Sequence, residues 1–145
     1  MIIETFPVGP LQCNCTILGD PETGDAIVID PGDEAMKVLK RLSAHGLKPK
    51  AILITHTHLD HVGGNHEVRE RTGAKVMLHE KDLPLYDNLP MQAAMIGLET
   101  PVRGAVDEHI HQLADCKIND PRVIGDLGGP GPGHGKRIIS NIYVI

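Results

Sequence analysis

Aromatic side chains are almost missing from this chain of 145 residues: Phe6, Tyr86 and Tyr143 are the whole set, and there is no tryptophan. With so few rings there is no stacking platform for single-stranded nucleic acid. Basic charge is also short. Fourteen Lys and Arg stand against nineteen Asp and Glu, a net charge of −5, which argues against a surface built to coat DNA or RNA. Long apolar runs are absent, so no membrane span is expected. The first residues, Met1-Ile2-Ile3-Glu4-Thr5, have neither the basic start nor the apolar stretch of a secretory signal. Cysteine is scarce and odd in number: Cys13, Cys15 and Cys116 make no disulfide framework. A reducing, cytoplasmic location is the expectation. Cys13-x-Cys15 has a metal-gripping reading and a core-packing reading. Packing is favoured, because a strand puts both beside apolar Ile17.

What the chain does have is 41% apolar residues, mostly Val, Ile, Leu, Ala and Met, and nine histidines. Its length suits a single domain with a real core, residues 1–145. Ile2–Phe6 and Asn14–Leu18 read as strands around the turn Pro7-Val8-Gly9-Pro10. Ala26–Ile29, Ala51–Ile54 and Lys75–Leu78 read as short buried strands. A helix is predicted from about residue 34 to 45, capped by Asp33 and stopped by Gly46, with Ala35, Val38, Leu39 and Leu42 on one apolar stripe. A second is predicted from Asn65, as its cap, to Thr72 before Gly73. Met91, Met95, Ile96 and Leu98 suggest a short amphipathic helix, read either as a lid or as a helix packed on the sheet. Glu108–Leu113 and Ile138–Ile145 are further strand candidates. Between them, eight of the eleven residues from Gly125 to Gly135 are Gly or Pro, so 125–135 is a loop. The alternation of strands and helices is that of an α/β fold.

The chemistry concentrates in Thr55-His56-Thr57-His58-Leu59-Asp60-His61-Val62-Gly63-Gly64. Four metal-capable side chains lie within six residues. At about one residue in twenty per type, four such fixed positions coincide roughly once in 10⁵ windows. If strand geometry persists past Ile54, His56 and His58 point to the same side and can meet one ion. Asp60 and His61 follow as the chain turns, toward a second ion or toward water on the first. Histidine with carboxylate suits zinc, iron or manganese, and no cysteine is near in sequence. Gly63 and Gly64 allow close backbone approach. Asp30, in Asp30-Pro31-Gly32, reads either as a brace for this loop or as simple turn chemistry. His45, His66, His79, His109 and His111 read as surface or terminal residues.

The ten-residue loop resembles the H-x-H-x-D-H signature of the metallo-β-lactamase superfamily. Ile27-Val28-Ile29-Asp30-Pro31-Gly32 resembles its V-I-D-P-G turn, and Gly9-Pro10-Leu11-Gln12-Cys13-Asn14-Cys15 resembles the start of its glyoxalase II-like branch. The resemblance implies an αββα sandwich and a metal-dependent hydrolase. It implies His56 and His58 as ligands of a first metal, and Asp60 and His61 as ligands of a second. Pro132-Gly133-His134 fits the P-G-H core of the family's next ligand turn, which makes His134 the third histidine of the first metal. One or two Zn²⁺ ions are the implied cofactor, with iron or manganese as alternatives. Asp60 is the candidate catalytic residue, able to orient and deprotonate water. The implied substrate is a small-molecule thioester or ester, a hydroxyacyl-glutathione first. The family's bridging aspartate and last histidine lie downstream of its third histidine, whereas Asp115, Asp120 and Asp126 precede His134 and the chain ends eleven residues after it. The sequence is therefore read as the N-terminal half of the sandwich plus part of the second. Two other readings stay open: an iron enzyme that oxygenates persulfides, and a truncated, non-catalytic metal-binding half-domain. A homo-oligomer is compatible with all three readings.

Overall fold

A computed structural model describes residues 1–110. Six strands form one sheet in the order of the chain: β1 (Ile2–Val8), β2 (Cys13–Gly19), β3 (Asp25–Ile29), β4 (Lys48–Leu53), β5 (Lys75–His79) and β6 (Glu108–Ile110). β1, β2 and β3 are an antiparallel meander, while β3 to β6 run parallel. The parallel pairs require crossovers, and helices supply them. α1 (Ala35–Ala44) joins β3 to β4. α2 (Leu59–Val62) and α3 (Asn65–Thr72) join β4 to β5. A 3-10 turn (Glu80–Asp82), α4 (Leu83–Asp87) and α5 (Leu89–Ile96) lie between β5 and β6. The α/β class read from the sequence is the one observed. No helix among the described residues is long and apolar enough to cross a membrane.

The central strands are apolar without alternation because both sheet faces are buried. Cys13, Cys15, Ile17, Ala26, Val28, Ile52, Val76 and Leu78 share one core with Val38 and Leu42 of α1 and Val68 of α3. The intervening residues Leu18, Ile27, Ile29, Leu53 and Met77 are buried too. A sheet apolar on both faces is what a middle layer of a sandwich requires.

Three local expectations need correction. The N-cap position of α1 is Glu34, not Asp33, and it makes no side-chain cap hydrogen bond. The Glu34 carboxylate instead accepts the Gly9 N–H at 2.8 Å, tying the helix start to the β1–β2 turn. Asn65 does not cap α3. It is fully buried, and its Nδ2 donates to the Tyr86 hydroxyl at 2.9 Å. Burial among apolar neighbours makes that pairing worth more than an exposed cap. In α5 the methionine stripe does not face the core. Leu89 and Ala93 are buried, whereas Met91 and Met95 are 58% and 80% exposed. The proposed strands at 111–113 and 138–145 and the loop 125–135 lie outside the described residues.

Candidate metal centre

The parallel strands β3 and β4 end side by side, and their following loops form the site, at the end of an open α/β sheet where ligands gather. β4 stops at Leu53, and the Ile54 N–H still bonds the Met77 carbonyl of β5 at 2.9 Å. The next four residues stay irregular but alternate. Thr57 is fully buried and donates its hydroxyl to the Asp82 carbonyl at 2.9 Å. His56 and His58 flank it and turn the other way, so their ring centroids lie 4.6 Å apart, edge to face. The sequence placed this pair on a continuing strand. The strand has ended, yet the extended backbone around an anchored Thr57 gives the same alternation.

α2 is a single turn begun by His58. Leu59 and Val62 point into the core, which leaves Asp60 and His61 on the side of the other imidazoles. The His56 and His61 rings are 3.8 Å apart. His61 Nε2 lies 3.5 Å from Asp60 Oδ2. Two donors at about 2.0–2.2 Å from a tetrahedral ion stand roughly 3.4 Å apart, so this pair already fits one cation.

Asp30 organises the loop from below. It sits just beyond β3 with φ of 48°, a conformation Asp tolerates better than most residues. Its Oδ1 accepts the Thr55 N–H at 2.8 Å and its Oδ2 the Thr55 hydroxyl at 2.6 Å. Oδ2 is also 3.0 Å from His61 Nδ1. That nitrogen is buried, and the contact is off the line of an N–H···O bond, so it is an ionic contact rather than a hydrogen bond. Both sequence readings of Asp30 hold: the turn geometry is what delivers the brace. Gly32 and Gly64 close the loop. The Gly32 N–H bonds the His61 carbonyl at 3.1 Å, and the Gly64 N–H bonds the Gly32 carbonyl. A Cβ on Gly64 would lie 2.8 Å from that same carbonyl oxygen, so glycine is required there for approach.

The electrostatics follow from this packing. Burial, then the neighbouring His61 and His58, push His56 below the usual histidine range. That shift favours the neutral ring, the form that binds a cation. The Asp30 carboxylate, followed by Cys13, raises His61 to about 10. The three imidazoles are in ring contact, and among the described residues the donor atoms that converge are those of Asp60, His61 and Cys13, all within 4.8 Å of one another, a set that fits a divalent ion.

Of two further residues at this site, Gln92 went unmarked in the sequence and Cys13 was read there as a core residue in preference to a metal ligand. Gln92 of α5 accepts the Leu59 N–H at 2.9 Å and donates to the carbonyls of Thr57 at 3.2 Å and Leu85 at 2.9 Å. Nothing in a helical Gln announces this. Cys13 comes from β2 to stand within 4.8 Å, donor atom to donor atom, of both Asp60 and His61. The expectation that no cysteine lies near the loop holds along the chain and fails in space. A shallow recess opens beside Asp60, lined by Val8, Gly9, Pro10, Leu11, Asp33, Leu59 and Leu98 as well. His134 lies outside the described residues.

Residues 8–140 match the sequence profile of the Metallo-beta-lactamase superfamily. The chain belongs to that superfamily. Within it, the chain is 40% identical over 137 residues to the hydroxyacylglutathione hydrolase GloC of Haemophilus influenzae, covering 92% of this chain and 64% of that protein. The likeness supports the glyoxalase II-like branch. Among metallo-β-lactamase-fold structures, the BLEG-1 B3 metallo-beta-lactamase superposes with a TM-score of 0.69 at 28% identity, covering 77% of this chain and 54% of that one. TTHA1623 in a di-iron-bound form gives 0.66 at 36% identity, covering 75% and 54%. The chain thus spans less than two-thirds of the length of each of these three relatives. The fold implies bound metal ions.

Proposed function

We propose that this site holds one or two divalent metal ions, zinc first, and that its reaction is hydrolysis of a thioester or ester. The observation that carries the reading is the convergence of His56, His58, His61 and Asp60 at the ends of β3 and β4. The 40% identity to a hydroxyacylglutathione hydrolase supports a hydroxyacyl-glutathione as the substrate class. His56 and His58 would hold a first ion, with His134 as a further donor from the sequence pattern, and Asp60 and His61 a second. A bound divalent ion supplies water that ionises near neutral pH and polarises an acyl carbonyl.

The chain's own residues do the rest. Burial favours the neutral His56 ring, which has a lone pair to offer. Asp30 fixes the His61 ring from behind and aims Nε2 outward. Asp60, with about a quarter of its side chain exposed, faces both the recess and His61, so it can orient water and take its proton. The shallow recess beside it is lined in part by the apolar side chains of Val8, Leu11, Leu59 and Leu98. Cys13 and Cys15 are free and buried, which agrees with a cytoplasmic setting. The proposed partner is this small molecule.

The test is hydrolysis of a hydroxyacyl-glutathione thioester by the full chain, together with metal content by elemental analysis. Activity lost on chelation, restored by Zn²⁺ and absent from His58→Ala is the expected result. Undiminished activity in His58→Ala overturns the assignment. Metal bound without turnover of any thioester or ester leaves a metal-binding half-site in place of the hydrolase.

A further inference from the structure

We infer that Cys13 is a metal ligand, so that the site shared by Asp60 and His61 has a sulfur donor supplied from β2. The inference rests on the metal-binding reading above and deepens it.

The sheet topology brings the thiol there. β2 runs antiparallel to β3 with Thr16 opposite Ile29. Three residues earlier, Cys13 therefore reaches past the end of β3, level with the turn that starts at Asp30. Cys13 pairs with Val8 across β1 and lies on the same sheet face as Cys15 and Ile17, the face that meets α2. The result is one donor atom each from Cys13, Asp60 and His61, all within 4.8 Å of one another. Cys13 and His61 are far apart along the chain, so this cluster is a product of the fold. Small movements of side chains suffice to bring sulfur, oxygen and nitrogen to about 2.0–2.3 Å from one ion.

Cys15 does not share the role. It is two residues further along the strand, opposite Phe6, and fully buried. Cys13 is 6% exposed and stands at the strand's first position, where the core gives way to the site.

The chemical consequence is selectivity. A site of nitrogen and oxygen donors accepts zinc, iron or manganese, whereas an added thiolate favours zinc and cobalt over manganese. The probe is Co²⁺ alone, titrated into the full chain under reducing conditions. A sulfur-to-cobalt charge-transfer band in the near ultraviolet is expected beside the weaker visible bands of the other donors. Cys13→Ser keeps the size of the side chain, loses the charge-transfer band, keeps the visible bands, and binds Zn²⁺ about tenfold or more weaker. Cys13→Ala gives the same spectrum if the serine variant is unstable, and thermal melting establishes that each is folded. Cys15→Ala and Cys116→Ser retain the band. Visible bands with no charge-transfer band in the unaltered chain overturn the sulfur ligand and leave the histidine–carboxylate site standing. A band that survives Cys13→Ser but vanishes in either control assigns the sulfur elsewhere. No Co²⁺ bound at all removes the wider metal reading, and this inference with it.

Discussion

Asp30 Oδ2 lies 3.0 Å from His61 Nδ1 while the same carboxylate accepts both the N–H and the hydroxyl of Thr55. One side chain past β3 thus sets the start of the metal loop and the orientation of a ring six residues further along it. Asp30→Asn keeps the shape and tolerates the positive φ, but removes the charge. Zn²⁺ affinity is expected to fall by about 10–100-fold, the usual effect of losing a carboxylate behind a ligating histidine. Competition with a chromogenic chelator measures it, and an unchanged affinity removes the role given to Asp30.

Gly32 has φ of +61°, and an added Cβ would collide with the Val8 side chain and lie 3.1 Å from the Asp60 carbonyl. Gly32→Ala is therefore expected to cost about 1–3 kcal/mol and to displace the metal loop as well. Gly46, with φ of +66° and open space around it, is the control. Its alanine variant pays only the left-handed backbone cost, about 1–2 kcal/mol. Urea unfolding gives the stability of both, and metal affinity should drop only for Gly32→Ala.

Gln92 ties α5 to the loop through the Leu59 N–H and the Thr57 carbonyl. Gln92→Ala leaves that N–H without its acceptor, a loss of about 1–2 kcal/mol at a half-buried site. Because the bonded groups flank His58, metal affinity should weaken alongside the stability. Equal metal binding by the variant would make Gln92 a packing residue only.

Arg69 holds Asp107 in a two-bond pair at 2.7 and 2.9 Å, and the Val76 N–H adds a third contact at 2.8 Å. The arginine, ahead of the Val76 N–H, lowers Asp107 to about 2. A carboxylate with its folded pKa below the unfolded value of about 3.9 stabilises the fold above that value. The contribution fades as pH falls from about 4 through about 2. The pair is partly exposed to solvent, so the effect is small. Denaturant melts across that acid range should show a shallower loss for Asp107→Asn than for the unaltered chain.

Much of the fold was legible because it is local. Ala26–Ile29 and Lys75–Leu78 are short apolar runs between turn residues, and they are strands within a residue of those bounds. The stripe of α1 is apolar at helical spacing, and Ala35, Val38 and Leu42 are buried. Where two local rules competed, sequence favoured the wrong one. Asn65 has the chemistry of a cap, but a buried tyrosine hydroxyl is a better partner than water-exposed backbone. The methionines of α5 have helical spacing, but Leu89 and Ala93 occupy the side that meets the protein.

The candidate site divides along the same line. His56, His58, Asp60 and His61 lie within six residues, so their chemistry was fixed by the sequence alone. That Asp30 braces His61, that Gln92 holds the loop, and that Cys13 stands beside Asp60 were decided by the tertiary structure. Those contacts depend on which strands pair and in what register. Pairing across the sheet is set by the sum of many buried contacts, and no single stretch of sequence carries that sum.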